Sequence, residues 1–465
     1  MFSANYLFSE RVNKLAEKTI AAVSTPSGEG GIGIIRISGE ESAVIADRVF
    51  KNINGKSVSS LSGYSALFGH VYAGDELLDE AVVTRFVAPH SYTGEDTVEI
   101  SCHGGSVVLS LVLRAVLSAG ATLAAPGEFT KRAFLNGKLD LAEAESVMGL
   151  ISSKSEQELK LNLAAKSGRI SREIEKAETA LLTLAANFAA YSDYPDEDLP
   201  ELQPEAFGSL LAEAEGVLGG LLSTYDSGKI IRDGIKTAIV GKPNVGKSTL
   251  MNLLVGEERS IVTSVAGTTR DVIEERVKCG RVTLILADTA GIHASLDTVE
   301  SVGVELARSR IDTAQLILAV FDASTPLDSD DLEILSLIKD KKSLVLLNKT
   351  DKADVITLPD GFETVKISAK EGIGKDTLIE KIEETVGIAD LDSSSAVILN
   401  ERQRDLADKA LAHVLEAKSL LTSGYAIDAV SVCVDDALSL LYAFLGKRVT
   451  NEVADEVFRR FCVGK

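Results

Sequence analysis

Residues 241–248 read GKPNVGKS, and GTTRD (267–271), DTAG (288–291), NKTD (348–351) and SAK (368–370) follow in that order. A glycine-rich loop of this spacing, placed after an apolar strand, wraps phosphates with backbone N–H groups at a helix N-terminus. The run IKTAIV at 235–240 supplies that strand. DTAG or SAK alone would read as an ordinary turn. All five in sequence imply a Ras-like P-loop domain that binds and hydrolyses a guanine nucleotide.

Each segment has a physical task. Asn244, Val245, Gly246, Lys247, Ser248 and Thr249 form the phosphate cradle. Lys247 neutralises phosphate charge and assists hydrolysis, while the Ser248 hydroxyl is offered to magnesium. Thr269 sits where a first switch loop reaches the same metal and the γ-phosphate of GTP. Asp288 ends the strand TLILA and holds magnesium through water; Gly291 bends its backbone to sense the γ-phosphate. Asn348, Lys349 and Asp351 follow the buried strand SLVLL, and the Asp351 carboxylate matches the two donors on guanine's base edge. Ser368 and Ala369 complete the base pocket.

Two details depart from a Ras-type switch. Ile292 follows DTAG where Ras-type enzymes place the glutamine that orients the attacking water. A carboxylate from HASLDTVESVGVE is the natural substitute, with Asp297, Glu300 and Glu305 on offer. The same carboxylates also read as the solvated acidic start of a helix. The second detail is Asn244. No arginine finger is identifiable, so positive charge must come from a partner or a metal ion. The Asn244 side-chain carbonyl, beside switch I oxygens between Thr263 and Thr268, could hold a monovalent cation; alternatively it caps the loop.

At 465 residues the chain is long enough for two to four domains. Its four cysteines form no CxxC pair and there are five histidines, so neither a zinc site nor a disulfide framework is indicated, and a reducing cytoplasm is expected. No apolar run has membrane-spanning length, and MFSANYLFSERVNKLAEK resembles a short amphipathic leader or tag remnant. A net charge of −21 makes the chain a poor general polyanion binder, so any nucleic-acid role needs a local basic patch or a more basic partner.

Composition divides the chain. Strand alternation and glycine turns over residues 20 to 136 (IAAVSTPSGEGGIGIIRISG, AVVTRFVAP, TVEISCHGG), with the helical VVLSLVLRAVLSAG, predict an α+β domain over 1–136. Apolar residues at three- and four-residue spacing predict helices over 137–231, interrupted by the proline-rich PDEDLPELQPE at 195–205. Helical patterning returns over 395–465, in ERQRDLADKALAHVLEAKSLL and AIDAVSVCVDDALSLLYAFLG. The simplest architecture is multidomain α/β: an N-terminal α+β domain, then a discontinuous helical domain into which the GTPase domain, 232–394, is inserted. The last five residues, FCVGK, have the burial-seeking phenylalanine of a docked tail.

The combination of TIAAVSTPSGEGGIGIIRISG, SYTGEDTVEISCHGG, APGEFTKRAFLNGKLDLAEAE, the GKPNVGKS to NKTD segments and FCVGK closely resembles the MnmE/TrmE family of tRNA modification GTPases, from about residue 18 to 465. The resemblance implies work with a flavin-dependent partner, MnmG, on C5 of the wobble uridine of certain tRNAs, adding an aminomethyl or carboxymethylaminomethyl group. It implies an N-terminal domain that forms a homodimer and binds 5-formyl- or 5,10-methylene-tetrahydrofolate. By motif, the folate contacts are Arg36 in GIIR, Glu99 in TVE, Lys138 in FLNGK, read as opening a helix, and Lys465. It further implies potassium-dependent pairing of GTPase domains, with Asn244, Thr263, Val265 through its carbonyl, and Thr268 as potassium ligands, and with Glu300 positioning the hydrolytic water. Cys462 falls on the family's terminal cysteine, proposed to act in the modification chemistry. His293 departs from the arginine common at its place. The acidic balance then fits a subunit whose partner supplies most of the tRNA-binding surface in a heterotetramer. Two other classes stay open: a GTP-dependent assembly switch of the ribosome-associated kind, and a folate-dependent one-carbon transferase whose GTPase only regulates.

Overall fold

The computed structural model describes residues 18–26, 28–193, 204–255, 275–286, 308, 311–389, 395–448 and 451–464. They fall into two compact units, one of residues 1–148 with 438–465 and the other of residues 149–437.

The first unit is built on a seven-stranded sheet. Its strands are β1 (Ile20–Val23), β2 (Gly30–Ser38), β3 (Phe50–Asn52), β4 (Ser65–Ala73), β5 (Glu76–Phe86), β6 (Thr97–Gly104) and β7 (Thr122–Leu123), in spatial order β3-β4-β5-β6-β2-β1-β7. All pairings are antiparallel except β1 with β7. Alternation decides the two faces. In β6, Val98, Ile100 and Cys102 are buried in a core shared with the helices Ser42–Val49 and Ser106–Ser118, whereas Glu99, Ser101 and His103 point the other way. β2 does the same, burying Ile35 and Ile37 and presenting Arg36, which lies directly across from Glu99 in the β2–β6 register. Gly33 permits the helix to lie close, because a Cβ there would come within 2.5 Å of Leu109.

A smaller apolar cluster in this unit joins sequence ends. Phe134, from the helix Glu128–Leu135, packs with Leu141, Ala144, Ala454, Phe458 and Phe461. Lys131 pairs with Asp455 across the same junction. Phe461, the first residue of FCVGK, is thus buried against the helix Asn451–Arg459 that precedes it and the N-terminal region.

The second unit contains helices and a six-stranded sheet. Strands β8 (Ile235–Val240), β9 (Glu275–Cys279), β10 (Val282–Leu286), β11 (Leu316–Asp322), β12 (Ser343–Asn348) and β13 (Thr364–Lys366) lie in the order β13-β12-β11-β8-β10-β9. Only β9 runs antiparallel to its neighbour. The central strands LILAVFD and SLVLLN are almost wholly buried because the sheet has a core on each face, the usual reason for continuous apolar strands in parallel sheets. The helices Arg169–Asp193, Pro204–Ser223 and Glu401–Thr422 pack together. Ile170, Ile174, Ala177, Leu181, Leu184 and Phe188 form the buried stripe of the first, and Phe188 meets Phe207 edge-on.

The sheet is gripped where the chain enters and leaves it. Gly228, in the helix Tyr225–Asp233, is open to Val397, since a Cβ there would sit 2.4 Å from Val397 Cγ1. Arg232 donates to the Leu399 carbonyl, and Ser227 Oγ to that of Gly387 at 2.7 Å. The helix Tyr225–Asp233 that leads into β8 is therefore tied to Gly387, Val397 and Leu399, which follow the sheet.

Candidate functional site

The phosphate loop follows the buried end of β8. Gly241 has φ +146, and a Cβ there would come within 2.3 Å of the Val320 carbonyl oxygen on the neighbouring strand β11, so the close approach requires glycine. Val245 is buried beneath the loop, while Asn244, Ser248 and Thr249 are exposed on it. Lys247 opens the helix Lys247–Val255 and curls back over the loop, its Nζ donating to the carbonyls of Gly241 and Lys242 at 2.7 and 2.6 Å. Gly246, with φ +105, lies where a Cβ would sit 2.2 Å from Asn348 Nδ2.

NKTD and SAK meet this loop. Asn348 is buried and holds both neighbours, with Nδ2 donating to the Val245 carbonyl at 2.8 Å and Oδ1 accepting from the Ala369 N–H at 2.9 Å. Its amide therefore holds the pocket together. Lys349 Nζ donates to the Asn244 carbonyl at 2.7 Å and pairs with Asp322 at 2.6 Å. Asp351 accepts from Ser368 Oγ at 2.7 Å, and that hydrogen bond holds its carboxyl below the usual aspartate range. It is ionised at neutral pH, as recognition of two adjacent base donors requires.

The chemistry of the donors suits the expected groups. Ser248 offers a hard oxygen at the loop's mouth, which fits magnesium, and Asn244 carries an exposed amide oxygen suited to a monovalent cation. Thr263, Val265, Thr268, Thr269, Asp288, Gly291, Ile292, His293, Asp297, Glu300 and Glu305 lie outside the described residues, as do Lys465, the N-terminal leader and most of the proline-rich break.

A second site lies in the first unit. Arg36 Nε–H and Nη2–H both reach Glu99 Oε1 at 2.9 Å. Its Nη1–H donates to the Gly464 carbonyl at 3.3 Å, and Ser24 Oγ donates to the same oxygen at 3.1 Å. The guanidinium lies over the rings of Tyr92 and Phe129, 5.5 and 5.7 Å from their centroids. Upstream, the Gly127 N–H donates to the Cys462 carbonyl at 3.3 Å. The tail is thus seated on the pair of residues that the sequence singled out.

Lys138 does not open a helix. It lies in the turn after Glu128–Leu135, its Nζ donating to the Pro89 carbonyl at 3.0 Å, because Asn136 and Gly137 end that helix before it. Burial pushes the Cys102 thiol up to about 11 and Cys279 to about 12, whereas Cys462 is exposed. Ser24, Tyr92 and Gly127 are site residues that sequence reasoning passed over. Gly127 stood in the quoted APGEF, and its φ of +69 was the missing signal.

Among the described residues, no group of histidine, cysteine and carboxylate side chains could hold a metal ion, and no helix is long and apolar enough to cross a membrane. The family profile described as "GTP-binding protein TrmE N-terminus" matches residues 19–138, and that described as "MnmE helical domain" matches 141–462. The tRNA modification GTPase MnmE of Caldicellulosiruptor saccharolyticus is 42% identical over 96% of this chain and 99% of its own. The chain belongs to the MnmE family. The tRNA modification GTPase MnmE of Clostridioides difficile is 39% identical over 97% of this chain and 99% of its own. The G domain of the Thermotoga maritima FeoB iron transporter is similar over 32% of this chain and 98% of its own, at 25% identity and a TM-score of 0.25. As a member of the MnmE family this chain is a GTPase of multidomain α/β architecture, and its function lies in tRNA modification.

Proposed function

We propose that this MnmE-family GTPase is activated by potassium and, with a flavin-dependent MnmG partner in a heterotetramer, adds a carboxymethylaminomethyl or aminomethyl group to C5 of the wobble uridine of certain tRNAs. The observation that carries this reading beyond GTP hydrolysis is the C-terminal segment seated on Arg36 and Glu99. A GTP switch acting by binding alone has no need of a tail held by a guanidinium–carboxylate pair. A reduced folate, the one-carbon donor in this reading, presents pterin donors that suit Glu99 and glutamate carboxylates that suit Lys138 and Lys465. Arg36 orients Glu99, and the Tyr92 and Phe129 rings face its guanidinium and help hold it in place. Cys462, exposed on the same tail two residues before Gly464, is the thiol proposed to act in the modification chemistry.

In the GTPase domain, proposed to span 232–394, Lys247 and the backbone of 244–249 hold the phosphates. Ser248 and Thr269 hold magnesium, with Asp288 and Gly291 completing the switch contacts. Asn244, Thr263, Val265 and Thr268 bind potassium, which would supply the positive charge that an arginine finger supplies elsewhere. Glu300 positions the water. Homodimerisation through the 1–136 domain and a cytoplasmic location complete the proposal.

Nucleoside analysis of tRNA from cells lacking the protein tests it. The reading expects the C5-modified wobble uridines to disappear and to return on complementation. Their persistence at the wild-type level would overturn it.

A further inference from the structure

Asp322 ends β11 and Asn348 ends β12, and the two are register partners. Lys349 therefore leaves the sheet beside the Asp322 carboxylate. The lysine ammonium lies 2.6 Å from Asp322 Oδ2 and donates at 2.7 Å to the carbonyl oxygen of Asn244 in the phosphate loop. Asn244 has φ +62 and Lys349 φ +68; Tyr64 is the only other non-glycine residue in this region among the described residues. A left-handed backbone costs a non-glycine residue about 1 kcal/mol or more and persists only where its surroundings hold it. The Lys349 ammonium, held by Asp322, thus links two such positions.

The carboxylate is itself fixed. Asp322 Oδ1 accepts from the Ser324 N–H at 3.0 Å and from Ser324 Oγ at 2.6 Å, leaving Oδ2 for the lysine. Burial raises the Asp322 pKa, but the hydrogen bonds from Lys349 and Ser324 outweigh it and bring the group down to about 2. It is a permanent negative charge at any working pH. Among the five nucleotide-binding segments of the sequence none contains Asp322.

We propose that Asp322 is a positioning residue of the nucleotide site: it aims the Lys349 ammonium at the Asn244 carbonyl and so fixes the shape of the phosphate loop. Without the carboxylate, the ammonium turns to solvent, the Asn244 carbonyl loses its donor and the loop relaxes from the left-handed conformation. Nucleotide binding must then rebuild the loop, which weakens affinity for any purine nucleotide equally. Base discrimination, which belongs to Asp351, stays as it was.

The test uses full-length protein and two variants, Asp322→Asn, which keeps every heavy-atom position, and the smaller Asp322→Ser, as insurance against poor folding of either. Dissociation constants for fluorescent GDP and IDP are measured beside Lys349→Met and the double variant Asp322→Asn/Lys349→Met. Loss of a charge-assisted hydrogen bond at a partly exposed pair predicts about tenfold weaker binding of both nucleotides. The GDP to IDP ratio should be unchanged, and the double variant should be no weaker than Lys349→Met alone. Wild-type affinity in a folded Asp322 variant, additive losses in the double variant, or a changed GDP to IDP ratio would each overturn the assignment. So would a drop in melting temperature with affinity intact, which marks a purely structural carboxylate.

Discussion

Gly464→Ala is the most revealing single change in the tail. Gly464 has φ +90, and a Cβ there would lie 2.2 Å from the Val23 carbonyl oxygen and 2.9 Å from Ser24 Cα. Val23 cannot retreat, because it is paired with Ile35 in the sheet. The tail must therefore lift, giving up the Ser24 and Arg36 bonds to Gly464. One neutral and one charge-assisted hydrogen bond contribute about 2 to 4 kcal/mol together. The Arg36 bond is long at 3.3 Å, so about 2 kcal/mol is the better figure. At 1.4 kcal/mol per decade this is about a 30-fold rise in the undocked population. Phe461 remains buried against Phe458, which confines the opening to the residues beyond it and leaves global stability nearly unchanged. Carboxypeptidase trimming followed by intact-mass spectrometry measures the undocked population. The variant should be trimmed to Phe461 about 30 times faster, with a melting temperature within about 2 °C of wild type. Equal trimming rates would refute the docked tail; a large drop in melting temperature would refute the confinement.

Arg36→Lys loses the fork that serves Glu99 and Gly464 together and should weaken 5-formyl-tetrahydrofolate binding at least about tenfold by calorimetry, with GTP turnover intact. Asn348→Ala strands the buried Val245 carbonyl and Ala369 N–H and should cost about 2 to 4 kcal/mol in denaturant unfolding of the GTPase region, with weakened GDP binding. Asn244→Ala should abolish the excess of GTP turnover in potassium over sodium at equal ionic strength; equal rates in both salts for the wild type would refute the cation assignment. His103 is raised above its ordinary 6.5 by its hydrogen bond to Asp79, so the pairing contributes stability that is fully present below that value and fades as pH rises through the raised one. An NMR titration should place its midpoint above 6.5 and return it to about 6.5 in Asp79→Asn.

The nucleotide pocket was legible because its residues are contiguous in short strings whose strand-end positions are forced by apolar runs such as SLVLL. The roles within the strings were less so. Asn348 reads as a nucleotide contact, yet its amide is buried between two loops, a fact of tertiary packing that no local pattern carries. Asp322 was invisible for the same reason, since only the β11–β12 register brings it to Lys349. In the first unit the α+β pattern was plain from alternation, and Arg36 and Glu99 came from family motif rather than from spacing. What joined them to FCVGK was a contact across more than 400 residues of sequence, which required the folded chain. Lys138 was misread because a helix-ending Asn-Gly precedes it and the next helix begins only at Leu141.

The central claim is that GTP hydrolysis by this chain drives wobble-uridine modification. It is tested most directly by replacing the chromosomal copy with Lys247→Ala, verifying expression and loss of turnover, and quantifying C5-modified uridines in bulk tRNA by mass spectrometry. Loss of the modified nucleosides to the level of a deletion strain is the predicted result; wild-type levels in the hydrolysis-dead strain would contradict the account.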